Sequence, residues 1–202
     1  MELTMLLSHI VQNATQTLVD HLDELTALDQ AIGDGDHGLN MKRGAQAIQA
    51  KLPTLQDANL NELLKAMGKT CIAMIGGSSG PVFGTLLVTL GKELPANAGA
   101  ADFAPALRTS IEALTRLGKA EVGQKTLLDV LDPVQKLLAL GGDNLLARVK
   151  QCALDSAVAT AQMEATRGRS SFLGERAMGH VDPGARSMAL IIGSVCDSLA
   201  LS

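Results

Sequence analysis

The 202-residue chain contains no tryptophan and no tyrosine, and its only phenylalanines are Phe83, Phe103 and Phe172. Proteins that hold single-stranded nucleic acid stack its bases on aromatic side chains, so the chain lacks the platform for that role. A formal net charge of −4 also excludes a broad phosphate-backbone footprint, which leaves local phosphate binding by glycine loops or metal ions. Cysteine is scarce: Cys71, Cys152 and Cys196 stand far apart, with no CxxC spacing. They read as reduced core thiols of a cytoplasmic protein, and no His or Cys pair has zinc-ligand spacing. The start, Met1-Glu2-Leu3-Thr4, lacks the basic region of a signal peptide. Thr70 to Gly91 is uncharged and long enough to cross a bilayer. Its centre, Gly76-Gly77-Ser78-Ser79-Gly80-Pro81, would leave broken helix backbone in lipid, so it reads as two core helices meeting at a loop.

What the chain does have is helical periodicity. Leu3, Leu6, Ile10, Ala14, Leu18, Leu22 and Leu25 recur at three- and four-residue spacing and predict one long first helix. Leu60, Leu63, Leu64, Met67, Cys71 and Ile75 repeat the pattern, as do Leu107, Ile111, Leu114 and Leu117. Further helices are expected from Leu39 to about Lys51, Val82 to Leu94, Thr126 to Leu140, Leu145 to about Thr166, and Ala185 to Leu201. Asp102 suits an N-cap, Pro53 and Pro95 end the helices before them, and Pro133 should kink its helix. No segment alternates in the manner of a strand, and there is neither an internal repeat nor a long linker. The expected fold is all-α, about eight helices in one domain spanning residues 1–202. Gly118 to Thr126 imitates a Walker A loop, but its lysine is one residue too far on and no strand precedes it.

Four loops carry groups that handle anions or cations. The first is Asp29-Gln30-Ala31-Ile32-Gly33-Asp34-Gly35-Asp36-His37-Gly38. Its three carboxylates repel one another unless a cation lies among them, and the glycines let them converge. Hard oxygen ligands of this kind suit Mg²⁺. The spacing fails as an EF-hand, because Gly38 and Ala45 fall where ligands are needed. A polar cap for the following helix is the alternative, but a cap employs one carboxylate and not three. The second loop, Gly76 to Pro81, precedes a helix; its backbone N–H groups and Ser78 and Ser79 can receive an anion, although such glycines also suit a plain turn. The third, Gly118 to Thr126, brings Lys119 and Lys125, which read by default as solvated charges. The fourth runs from Gly168 to Gly184; Arg169 could clamp a phosphate there, and Asp182-Pro183-Gly184 reads as a type I or II turn. All four loops could lie at one end of a helical bundle.

His9 and His21 read as surface residues, whereas His37, inside the carboxylate loop, could orient a phosphate or carry a phosphoryl group. Arg108, Arg116, Lys136, Arg148 and Lys150 read as a solvated face. No Ser-His-Asp or Cys-His arrangement suggests acyl transfer.

The strings Ile32-Gly33-Asp34-Gly35-Asp36-His37-Gly38-Leu39-Asn40-Met41, Gly76 to Pro81, Gly118-Lys119-Ala120, Gly168 to Arg176 and Gly179 to Gly184 resemble the dihydroxyacetone kinase L domain, in order and across essentially the whole chain. The resemblance is greatest to the free-standing L subunit of bacterial phosphotransferase-dependent kinases. It implies an antiparallel eight-helix barrel with a nucleotide pocket formed by loops at one end. It implies that Asp29, Asp34 and Asp36 hold two Mg²⁺ against the diphosphate of ADP. His37, Gly38, Leu39, Asn40, Ser78, Ser79, Gly118, Leu127, Arg169, Asp182, Pro183 and Gly184 match nucleotide-binding positions. The implied ADP stays bound, passes transiently through ATP when a phosphohistidine M subunit rephosphorylates it, and gives the phosphoryl to dihydroxyacetone held on a K subunit. Ser78 and Ser170 stand where the family often has Ala, Phe172 where it has Tyr, and Leu127 where it has Met.

The expected partners are thus the K and M subunits and a second copy in a homodimer, with no nucleic acid and no membrane; L subunits also contact transcription regulators. The chain as given ends at Ser202 without a K domain, which fits the separate-subunit arrangement. Rival readings are an L domain fed by free ATP, an L domain serving another acceptor such as a different ketose or a fatty acid, and a noncatalytic nucleotide-binding regulator.

Overall fold

The computed structural model describes residues 3–202; Met1 and Glu2, part of the N-terminal stretch read above, lie outside the described residues. The described residues form nine α-helices and no strand: α1 (Leu3–Asp20), α2 (Leu22–Ile32), α3 (His37–Lys51), α4 (Leu60–Met74), α5 (Ser79–Glu93), α6 (Ala100–Gly118), α7 (Leu128–Leu140), α8 (Leu145–Ala159) and α9 (Pro183–Ala200). The expected long first helix is interrupted at His21, whose ψ of 19° separates α1 from α2. Its backbone N–H still reaches the Thr17 carbonyl at 3.1 Å, but its own ring Nδ1 lies 2.8 Å from the same oxygen and competes for it. Taken together, α1 and α2 make one element, and the eight-element bundle of the sequence reading results.

Each element packs on the next around a ring, and α9 closes it against α1. Short connections force most neighbouring elements to run antiparallel, and across the longer α8–α9 link the Lys150–Asp197 pair shows the same sense. The links α2–α3, α4–α5, α6–α7 and α8–α9 therefore lie at one end, and the other links lie at the opposite end with both termini. The four loops of the sequence analysis are those four links. No described helix is long and apolar enough to cross a membrane.

One stripe of each helix supplies the interior. Leu25, Val130, Ala153, Ala157, Ala185 and Ala189 are wholly buried, and the alanines on α8 and α9 let those helices approach closely. Each large aliphatic side chain buried in this way stabilises the fold by about 1.5–3 kcal/mol before entropy is counted.

Several helix ends differ from expectation for local reasons. Asp102 is not an N-cap: α6 begins at Ala100, and the Asp102 carboxylate reaches back from the first turn to accept the Gly99 N–H at 2.8 Å. Helix α7 runs through Pro133, which has no N–H to offer the Asp129 carbonyl one turn back. Helix α8 ends at Ala159, earlier than the apolar pattern suggests, and passes into a 3-10 turn over Thr160–Gln162. Asp182-Pro183-Gly184 is a helix start and not a free turn. Asp182 caps α9 by accepting the Ala185 N–H at 2.7 Å, and Pro183 takes the first helical position, where its missing N–H costs nothing.

Candidate functional site

Asp29 on the last turn of α2, and Asp34 and Asp36 in the link to α3, each present an oxygen within 4.8 Å of the others. Gly33 makes the approach possible, since a Cβ there would fall 2.1 Å from Asp29 Oδ1. Asp29 is buried, and its Oδ2 accepts the His37 N–H at 3.0 Å, so it caps α3 from eight residues upstream. Asp36 occupies the N-cap position of α3, yet its side chain makes no capping bond. The capping alternative thus accounts for one oxygen of one carboxylate. Asp34 meets the guanidinium of Arg169, which the chain returns from the α8–α9 link. The remaining oxygens form a hard, anionic donor set suited to a divalent cation.

His37 begins α3 beside this cluster and is buried. Its Nε2 lies 2.7 Å from Ser187 Oγ on α9, and its Nδ1 lies 3.3 Å from Ser79 Oγ at the start of α5. Ser187 donates to the Pro183 carbonyl at 3.0 Å, so it accepts from a protonated Nε2, and Ser79 donates to a bare Nδ1. These bonds suit the neutral imidazole with its proton on Nε2. Burial holds it below its ordinary 6.5, against the upward pull of Asp29, Asp36 and the Pro183 backbone. With both ring nitrogens engaged, His37 fixes α3, α5 and α9 around the acidic loop, a placement that suits orienting a ligand better than carrying a phosphoryl group.

The second loop closes on the same helix: Gly76 packs so tightly on Asn40 that a Cβ would lie 2.6 Å from its Oδ1. Asn40 is buried, Leu39 is 55% exposed, and Ser78 is exposed at the N-cap position of α5 without a capping bond. Gly38 faces inward against α2. Gly118 ends α6 in the open, and Leu127 is buried just before α7. These last two share the loop end of the bundle but make no hydrogen bond to the acidic cluster. The Gly168–Ala177 stretch is not an open loop: it forms 3-10 turns from Arg169, and Ile32, Ala165, Leu173 and Ala177 pack into a small core of their own beside α2. Phe172 on it is 88% exposed.

Sequence reasoning misjudged Lys125. It is 1% exposed, not solvated, and its Nζ donates to the carbonyls of Thr160, at 2.6 Å, and His180. Lys119 stays at the surface. Ser187 was missed as well, because a serine in an apolar helix carries no local sign of its partner. Grooves of about 460 and 820 Å³ open along α1, α8 and α9 and at the end bearing the termini; neither touches the three aspartates.

The DAK2 domain model matches residues 31–197. The chain is 39% identical over 168 residues to the ADP-binding subunit DhaL of PEP-dependent dihydroxyacetone kinase 1 from Listeria innocua, covering 83% of this chain and 82% of that one. It is 37% identical over 176 residues to the ADP-binding subunit DhaL of the PEP-dependent dihydroxyacetone kinase of Escherichia coli, covering 83% and 84%. Among solved structures, the dihydroxyacetone kinase from C. freundii in complex with AMP-PNP and Mg²⁺ superposes with a TM-score of 0.77 at 29% identity. That match covers 95% of this chain but 33% of the other, so the chain spans about a third of that kinase's length. A match over most of the chain, with relatives of similar length, establishes that the protein belongs to the DAK2 domain family.

Proposed function

We propose that the protein is the ADP-carrying subunit of a phosphotransferase-dependent dihydroxyacetone kinase. The observation that carries this reading is the convergence of Asp29, Asp34 and Asp36 within 4.8 Å beside a neutral, doubly bonded His37. The three carboxylates would hold two Mg²⁺, and those ions would supply neutralisation of the phosphate charge. His37, Gly38, Leu39 and Asn40, with Ser78 and Ser79, would line one side of the nucleotide. Arg169 would offer its N–H donors to phosphate oxygens, and Gly118, Leu127 and Asp182-Pro183-Gly184 would form the facing wall.

Phosphoryl transfer asks a protein for position and charge neutralisation more than for a nucleophile, and none of these side chains has to form a covalent bond. The phosphoryl arrives from a phosphohistidine M subunit and leaves to dihydroxyacetone on a K subunit. The names of the Listeria and Escherichia relatives support a multi-subunit, PEP-dependent system. A homodimer, a transcription regulator as partner and a cytoplasmic location complete the reading.

The absence of Trp and Tyr makes the test simple. Protein incubated with ADP and Mg²⁺, then desalted, should show an adenine band at 260 nm above almost no protein absorbance. That band should persist until a chelator is added. A desalted sample without it, at saturating metal, overturns the reading. The alternative, direct use of free ATP, is favoured by the match to a kinase solved with AMP-PNP. It would appear as nucleotide that desalting alone removes and as turnover without an M subunit.

A further inference from the structure

Lys125 is the one wholly buried cation among the described residues, and it lies outside the set of nucleotide-binding positions named above. Taking an ammonium out of water is costly, and an apolar side chain of similar size would fill the same space more cheaply. Its backbone is left-handed as well, with φ at 60°, which a residue with a Cβ rarely adopts. Two unfavourable features meeting at one position indicate that the ammonium has a specific task.

Its partners define that task. Thr160 follows α8 and His180 precedes α9, so one ammonium ties the α6–α7 loop to two segments distant in sequence. Thr160 Oγ1 accepts the Asp182 N–H at 2.9 Å, which joins those two segments to each other. Asp182 then caps α9, and Ser187 one turn on reaches His37. On the loop side, both oxygens of buried Asp129 accept backbone N–H groups, from Gly123 and Thr126, and thus shape the turn that delivers Lys125. The charges facing the ammonium are Asp182 and Asp129; they pull its pKa up against the lowering by burial.

We infer that Lys125 is a positioning residue of the nucleotide site. By binding the Thr160 and His180 carbonyls it sets the Asp182–Gly184 start of α9 against the Gly118–Leu127 loop. The inference rests on the reading of these loops as a nucleotide site. Lys125 spends its bonds on backbone carbonyls, so it acts through the wall it holds.

The test compares wild type with Lys125→Met and Lys125→Ala. ADP affinity at saturating Mg²⁺ is measured by equilibrium dialysis, Mn²⁺ binding without nucleotide by electron paramagnetic resonance, and stability by thermal unfolding. Both folded variants should lose about tenfold or more in ADP affinity, the scale of a lost hydrogen bond to a charged group. Mn²⁺ binding should be retained, because the acidic loop is not what Lys125 holds. Propylamine should restore ADP affinity to Lys125→Ala, whereas propanol, which fills the space without the charge, should not. Unchanged ADP affinity in folded Lys125→Met, or equal rescue by propanol, overturns the inference. If neither variant folds, Asp129→Asn decides: it replaces one of the two carboxylate oxygens that shape the turn delivering Lys125, and wild-type ADP affinity in that folded variant is equally fatal. Wild-type protein that binds Mn²⁺ but no ADP would instead sink the nucleotide reading itself.

Discussion

The guanidinium of Arg169 rests against the carboxylate of Asp34, joining the α8–α9 link to the acidic loop after α2. Both side chains keep much of their surface in water, so the pair adds little to stability. Its significance is local: an arginine already lies where cations and phosphates would meet.

Replacing that arginine should therefore separate folding from binding. Arg169→Gln is expected to change unfolding free energy by no more than about 1 kcal/mol. ADP retention in the presence of Mg²⁺ should fall, because the phosphate loses its forked donor. Mn²⁺ binding without nucleotide should strengthen, since a positive group no longer occupies Asp34. Urea unfolding and metal titration read the two effects independently.

Asp36 and Asp29 should respond differently to truncation. Asp36→Ala removes a carboxylate that caps nothing, so helix content by circular dichroism and the unfolding midpoint should stay near wild type. Nucleotide retention should nevertheless disappear, a loss exceeding the 10- to 100-fold typical of outer-shell metal partners. Asp29→Ala should lose the metal and also the acceptor for the His37 N–H, adding a stability cost of about 1 kcal/mol. Equal stability of the two variants would contradict the bonding described for Asp29.

Asp182 makes stability depend on pH. Burial pushes its carboxyl up to about 6 from the ordinary 3.8, although the Ala185 N–H and the Lys125 ammonium pull it down. Between those values the folded protein holds a proton that the unfolded chain has released. Its contribution is therefore full below about pH 4, declines as pH rises through 6, and is absent above. Asp182→Asn keeps an oxygen for the α9 cap but cannot ionise. Urea unfolding from pH 4 to 7 should show wild type losing stability relative to this variant as pH rises, and a parallel course would rule the effect out.

Much of the site was legible in the chain because its signals are local. Asp34 and Asp36 alternate with glycines, a combination that lets the carboxylates converge wherever the loop lies. Gly76 to Pro81 breaks an apolar run and marks a link. Other features gave no local sign. Lys125 sits among glycines and charges that read as solvent-exposed, and the carbonyls that bury it belong to residues 35 and 55 positions away. Asp102 looked like a cap because its residue type suits one, but helix α6 begins three residues earlier than a cap at Asp102 requires.

Periodicity and glycine placement determined, without any fold in view, that the protein is helical and that its polar chemistry lies in four links. Hydrophobic stripes and turn residues act over a few neighbours, so composition alone expresses them. Which links meet was decided only when the ring closed and α9 packed on α1. That closure placed Ser187 on His37, Arg169 on Asp34, and Lys125 beneath Thr160 and His180. Contacts between segments so distant along the chain depend on how whole helices pack, and no short stretch of residues encodes that geometry.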